Sequence, residues 1–314
     1  MRRILISIVC ILITIAGYSQ NYSENMIYVH GGTFVMGDNS NPKAIYYPAH
    51  KVTISSFYIS KYEVTVFWFK KFIEETGYKT YIERRGFTDL FLNYKWVDKY
   101  PGSWRDVGFI QELTEPVVCI SWCDAVAFCN WLSIKEGREP VYSINDEIDI
   151  SKWPIIEDVV GFNNGWGNSI KCDWTKNGYR LLSEAEWEFA ARGGNASNGY
   201  KYSGSNDLNL VSWFGTNSRQ RTNPVGLLKP NELGIYDMSG NVWEMVWDVF
   251  QKYSLDEQID PRGATKEFSR VARGGSWRGG PAMQLSQYTV YNRDYGPIIR
   301  SYDNGTGFRI GYSK

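Results

Sequence analysis

The chain has 314 residues, enough for two average domains or one irregular domain, and it balances 34 Lys and Arg against 34 Asp and Glu. With no basic run, that balance excludes an overall field drawing the protein to nucleic acid or anionic lipid. Only two histidines occur, His30 and His50, so a three-histidine iron or zinc site cannot be built, and five cysteines in this length are too few for a disulfide-dense scaffold.

Arg2 and Arg3 precede an apolar run from Ile4 to Ala16, and Gly17, Tyr18 and Ser19 follow it. Basic start, short apolar run and small residues together read as a cleaved export signal over residues 1–19, the alternative being an uncleaved anchor. The run is too short to span a bilayer. Cys10 sits inside it and not after small residues at its end, which argues against a lipid-anchored cysteine. The expectation is an exported chain, periplasmic or extracellular, with no transmembrane span after cleavage and a single domain over 20–314. Cys119, Cys123, Cys129 and Cys172 remain, to pair or to stay reduced.

Met26–Phe34 and His50–Ile59 alternate as strands, the first breaking at Gly31-Gly32. Thr65 stands where a helix cap belongs, ahead of Trp68, Phe69, Phe72 and Ile73 at helical spacing, and Gly77 ends that helix. From Tyr81 to Glu115 the pattern dissolves, and the reading is a long ordered loop. Pro116–Ile120 reads as a short buried strand. Ser121 caps a second helix whose stripe of Ala125, Phe128, Cys129 and Leu132 makes Cys129 a core thiol, and Glu136-Gly137 stops it. Val141–Ile144 and Ile170–Trp174 read as a hairpin around a Gly- and Asn-rich tip. Ser183 and Glu186 form a capping box, so Glu184, Glu186 and Glu188 are assigned to the cap, the helix dipole and solvent, not to acid-base catalysis.

Gly234 to Asp248, GIYDMSGNVWEMVWD, gathers turn residues, acids and indoles in one span and reads as a hairpin about Ser239-Gly240-Asn241. Asp237 and Glu244 flank that turn. They are either two solvated acids or, with turn carbonyls, an all-oxygen cage for a hard cation such as calcium. Arg270–Arg273 is a strand with a tight exit at Gly274-Gly275, and Thr306–Ile310 is the closing strand. Two main helices among many short strands and large loops, without repeat or linker, make the fold class α+β. The 13 Trp and 22 Tyr suit a core of large flat side chains in a loop-rich fold, or sugar stacking. No G-x-S-x-G elbow, phosphate-binding glycine loop or CxxC motif occurs.

GGTFVMGD (Gly31–Asp38), YEVT (Tyr62–Thr65), PVVCISWCDAVAFCNWLS (Pro116–Ser133), RLLSEAEWEFAARGG (Arg180–Gly194), GIYDMSGNVWE, RVARGGSW and the final GFRI run in an order that closely resembles the formylglycine-generating enzyme, or sulfatase-modifying factor, family. The resemblance covers nearly the whole mature chain. It implies a single loop-rich domain with a C-type-lectin-like core and short antiparallel strands. It also implies calcium held by the side chains of Asp237 and Glu244 and the carbonyls of Gly240 and Val242. A second calcium site of some members relies on a longer loop than Asn217–Pro230 provides here. In the oxidase members two cysteines follow the RGGSW motif, bind copper and convert a substrate cysteine to formylglycine. Their positions here are Gly279 and Gln284, and no cysteine follows Cys172, so no copper is expected. Of that active-site motif only Ser276 remains, whose ordinary role is a turn hydroxyl.

The expected function is a calcium-stabilised binding or assembly module of the envelope, with an unknown envelope protein or a glycan as partner and no nucleic acid. One alternative is an enzyme of different chemistry in the same cleft, using Ser276, Arg278, Asn292, Arg293 or Asp294. The other is a lectin-like carbohydrate binder.

Overall fold

The first strands form where the alternation placed them, and they close on the C-terminus of the chain. β1 (Met26–Val29) pairs antiparallel with β4 (Phe57–Ser60), and β15 (Ile310–Ser313) lies between β4 and the short β9 (Arg180–Leu181). The computed structural model describes residues 21–153, 170–264, 269–278, 285–297 and 303–313. The expected signal, the tip of the 141–174 insert, and Gly279 and Gln284 lie outside the described residues.

A second sheet runs β13 (Arg293–Pro297), β12 (Ser269–Arg273), β10 (Trp243–Val249) and β14 (Thr306–Phe308). β2 (Gly32–Met36) and β3 (His50–Ile54) form a hairpin extended by β11 (Gln258–Ile259). The run from His50 to Ile59 is therefore two strands, broken at Ser55 and Ser56. Helix α1 (Val66–Thr76) ends at Gly77 in the left-handed region, as the glycine predicts, but Thr65 makes no side-chain cap. Helix α3 (Trp122–Lys135) starts in a capping box of Ser121 and Asp124, and α4 (Glu184–Ala191) in one of Ser183 and Glu186.

The stretch from Tyr81 to Glu115 is not structureless. It carries α2 (Tyr81–Arg85), capped by Thr80 and Glu83, and a hairpin of β5 (Thr88–Leu92) and β6 (Lys95–Tyr100). The pattern was lost because β6 is exposed along nearly its whole length, leaving no inward face to read. β7 (Tyr142–Ile144) and β8 (Ile170–Cys172) make the expected hairpin of the insert.

Most of the indoles are structural. Trp68, Trp104, Trp122, Trp131, Trp187, Trp243 and Trp277 are all buried, and α3 is enclosed on every side from Trp122 to Ser133, well beyond the expected stripe. A main aromatic core surrounds α1 and α3, a second lies under α4, and a smaller cluster joins Ile82, Leu90, Cys119, Val242 and Trp277. Among the described residues no helix is long and apolar enough to cross a membrane.

Candidate functional site: the acid turn and the Trp277 end

Residues 234–242 do not form the first strand of a hairpin. Asp237, Gly240 and Asn241 all take left-handed backbone angles, with φ of 60°, 101° and 60°. The turn sends its backbone bonds to other loops: Tyr236 N to Lys61 O, Gly240 N to Gly274 O and Asn241 N to Trp213 O. Its tight seating demands Gly240, where a Cβ would lie 2.1 Å from Ser212 Oγ and 2.5 Å from Trp213 O. β10 then departs and is paired on one side with β12 and on the other with β14.

Both acids of the turn are buried, and their partners come from far away in sequence. Glu244 is gripped through both oxygens by Arg309, at 2.6 and 2.7 Å, and also accepts from Trp187 Nε1 at 2.7 Å. Asp237 Oδ2 accepts from Gly226 N at 2.7 Å, while its Oδ1 is buried without a hydrogen-bond partner. A third acid joins them that spacing did not single out. Glu63 of the YEVT motif is 1% exposed; its Oε2 accepts from Asn241 Nδ2 at 3.3 Å and its Oε1 has no partner. The only hint in sequence was an acid set between apolar residues in a region otherwise reading as buried.

Three carboxylates thus face one guanidinium in a region closed to water. Burial pushes the Asp237 carboxyl up to about 6, opposed by the Gly226 N–H and Arg309 and reinforced by Glu244. Glu63 is driven well above the usual carboxylate range by burial, then by Asp237 and Glu244. Two buried oxygens without donors and a surplus of negative charge are what a hard cation would satisfy, so the donor chemistry fits calcium. Among the described residues no group of three His, Cys, Asp or Glu side chains is arranged to hold a metal ion. A cation here would therefore be completed by backbone carbonyls, with Glu244 shared with Arg309.

Of the other sequence-selected residues, Ser276, Arg278 and Asp294 gather at the end of β12. Gly274 and Gly275 have φ of 96° and 81°, as the tight exit required. Ser276 is buried, its Oγ 3.4 Å from Arg278 N and Nε, which is the turn-hydroxyl role. Trp277 is fully enclosed and donates from Nε1 to Asn304 O at 2.7 Å. Arg278 pairs with Asp303 at 3.0 Å, and Asp294 is an exposed acid whose electrostatic neighbours are Arg278 and Asp303. Arg293 and Asn292 do not join them. Arg293 is buried against Glu184 at 2.5 Å, and Asn292 Nδ2 donates to Gln287 O.

The acids of α4 overturn their assignment to solvent. Glu184 is paired with Arg273 and Arg293, Glu188 with Arg273 and Arg192, and Glu186 with Arg180, all three acids being buried. The reason is that α4 is buried along its whole length beneath β2, β3, β10 and β12, so its polar side has no water to face.

The four described cysteines are unpaired. Cys119 belongs to the Trp277 cluster, whereas Cys123 and Cys129 belong to the main core and Cys172 packs against it, so no second thiol joins Cys119. Burial raises all four thiols, Cys172 to about 12.

With this geometry in place, comparison with known proteins gives a consistent result. The family model for the sulfatase-modifying factor enzyme 1-like domain matches residues 14–311. The chain belongs to this family. Among its relatives is chaperone protein LppX of Paenibacillus barcinonensis, 32% identical over 281 residues that cover 81% of this chain and 79% of the relative. Another is the inactive C-alpha-formylglycine-generating enzyme 2 of Bos taurus, 27% identical over 286 residues, 81% of this chain and 76% of that protein. Among solved structures, Treponema denticola variable protein 1 superposes with a TM-score of 0.68 at 30% identity, covering 92% of this chain and 95% of its own. The α+β fold of the formylglycine-generating enzyme family is thus the fold of this chain.

Proposed function

We propose that this chain is an exported family member without the copper oxidase site, stabilised by calcium at the acid turn, that acts as a binding or assembly module of a bacterial-type envelope. One observation carries the reading: the positions of the two oxidase cysteines are Gly279 and Gln284, and no cysteine follows Cys172. Soft Cu(I) needs thiolates, and neither residue supplies one or can form a mixed disulfide with a substrate. The buried, protonated thiols elsewhere offer no substitute pair.

Membership alongside a protein named as a chaperone and another named as inactive supports a module that holds a partner without oxidising it. Calcium would be held by Asp237 and Glu244 with the carbonyls of Gly240 and Val242, Glu63 adding negative charge beside them. Bound there, it supplies charge neutralisation and fixes the turn on which β10 begins. The expected export follows from the first 19 residues. An enzyme using Asn292 and Arg293 is disfavoured, since both side chains are engaged elsewhere.

The test is incubation of the purified chain with a Cys-x-Pro-x-Arg peptide, copper and oxygen. Mass spectrometry is expected to return unmodified cysteine, and formation of the aldehyde would end the proposal.

A further inference from the structure

The hairpin that sequence reading missed carries the most exposed indole in the neighbourhood of Trp277. Trp96 on β6 is 55% exposed, and Tyr94 in the adjoining turn is 58% exposed. Neither side chain is needed by the core, yet Trp96 is held in place. The Arg278 guanidinium lies over its ring at 4.9 Å, and Phe91 meets it edge-on at 5.6 Å. The hairpin is itself clamped. Asn304, fully buried, accepts from Phe91 N at 3.0 Å and donates to Phe91 O at 3.1 Å and Val107 O at 3.2 Å, while its own carbonyl receives Trp277 Nε1. Asn304 therefore ties the loop bearing Asp303 to the strand bearing Phe91, so that the ring of Trp96 and the Arg278–Asp303 pair are fixed relative to one another.

An immobilised aromatic face beside a donor fork and a carboxylate is suited to a ligand with one apolar face and a rim of hydroxyls. With Asp294 as a second carboxylate beside the Arg278–Asp303 pair, an anion is repelled and would have to break that pair. Hydroxyls can instead accept from the guanidinium and donate to the carboxylate while it stays intact. Strand addition by a peptide is disfavoured at β6, whose edge carries Lys95, Asp98 and Lys99 and is bent at Lys99, where φ is 52°.

We propose that Trp96, with Arg278 and Asp303 beside it, is a binding site for a neutral saccharide unit. This rests on the binding-module reading and names its ligand class.

The experiment is calorimetric titration of the full chain, in calcium-containing buffer, with a panel of neutral hexasaccharides: cellohexaose, xylohexaose, mannohexaose and fully N-acetylated chitohexaose. At least one is expected to bind saturably. Trp96→Ala is expected to weaken that binding about tenfold or more. Since Trp96 is half exposed, the variant should melt with the wild type. Asp303→Asn, which keeps an acceptor for Gly305 N but loses the charge facing Arg278, is expected to weaken binding several-fold. Tyr295→Ala, an exposed ring stacked on Phe250 instead, should leave it unchanged.

Failure of every sugar to bind the wild type overturns the inference. So does binding undiminished in Trp96→Ala, or capture of an extended peptide that no sugar displaces. The oxidase assay and the response to chelator do not depend on Trp96, so the broader proposal and this one fail separately.

Discussion

Arg309→Met removes the guanidinium that grips the acid turn while keeping much of its apolar bulk. Arg309 is 1% exposed and donates twice to Glu244, and its remaining donors reach Ser60 O at 3.1 Å and Tyr236 O at 2.8 Å. Breaking a buried ion pair by removing one partner costs about 3–5 kcal/mol, since the other charge is left without compensation. The two carbonyls add about 1 kcal/mol between them once methionine packing is set against their loss. A total of about 4–6 kcal/mol follows, and at about 2 °C per kcal/mol for a chain of this length the melting point falls by about 8–12 °C. The measurement is urea and thermal unfolding of both proteins in chelator near about pH 7, repeated near about pH 5. The folded variant holds three carboxylates with no cation, so Asp237 and Glu63, already raised by burial, are pushed further above their unfolded values. Such groups cost stability as pH rises above the unfolded values, so the deficit should narrow toward about pH 5. Millimolar calcium should narrow it at about pH 7. A variant within about 1 kcal/mol of wild type at neutral pH, or a deficit indifferent to pH, would refute the view that Arg309 is the internal counter-charge of this turn.

Three further outcomes follow from the same geometry. Chelator should lower the wild-type melting point, by an amount equivalent to about 2.7 kcal/mol if calcium had stood at a hundred times its dissociation constant, and Asp237→Ala should abolish the response; an unchanged wild-type melt refutes the calcium assignment. Asp248 is buried and pushed up to about 7 by burial, then by Glu184, while Glu184 N donates to it. Its folded pKa lies above the unfolded value, so it costs stability progressively as pH rises from about 4 to about 7, by at most about 4 kcal/mol. Asp248→Asn keeps the acceptor, and relative to wild type it should be stabilised at about pH 8 and nearly neutral at about pH 4, read from urea midpoints. Gly240→Ala should leave little folded protein by circular dichroism, because the new Cβ meets Ser212 Oγ at 2.1 Å in a backbone conformation with φ of 101°.

What the sequence could reveal was set by short-range physics. The cap at Ser121, the capping box at Ser183, the left-handed glycine that ends α1 and the paired glycines after β12 each depend on residues within a few positions, and all are found where the pattern placed them. The family signature was likewise legible, because its motifs lie along the chain in order, and so was the absence of any cysteine after Cys172. Tertiary structure alone decided what the buried acids do. Glu184 meets Arg293 across 109 residues and Glu244 meets Arg309 across 65, while Glu63 enters the acid turn from 178 residues before its Asn241 partner. Spacing read the α4 acids as solvated because a carboxylate looks the same in sequence whether water or a guanidinium faces it. Only the packing of distant strands settles which, and the charge balance of the interior follows from that choice.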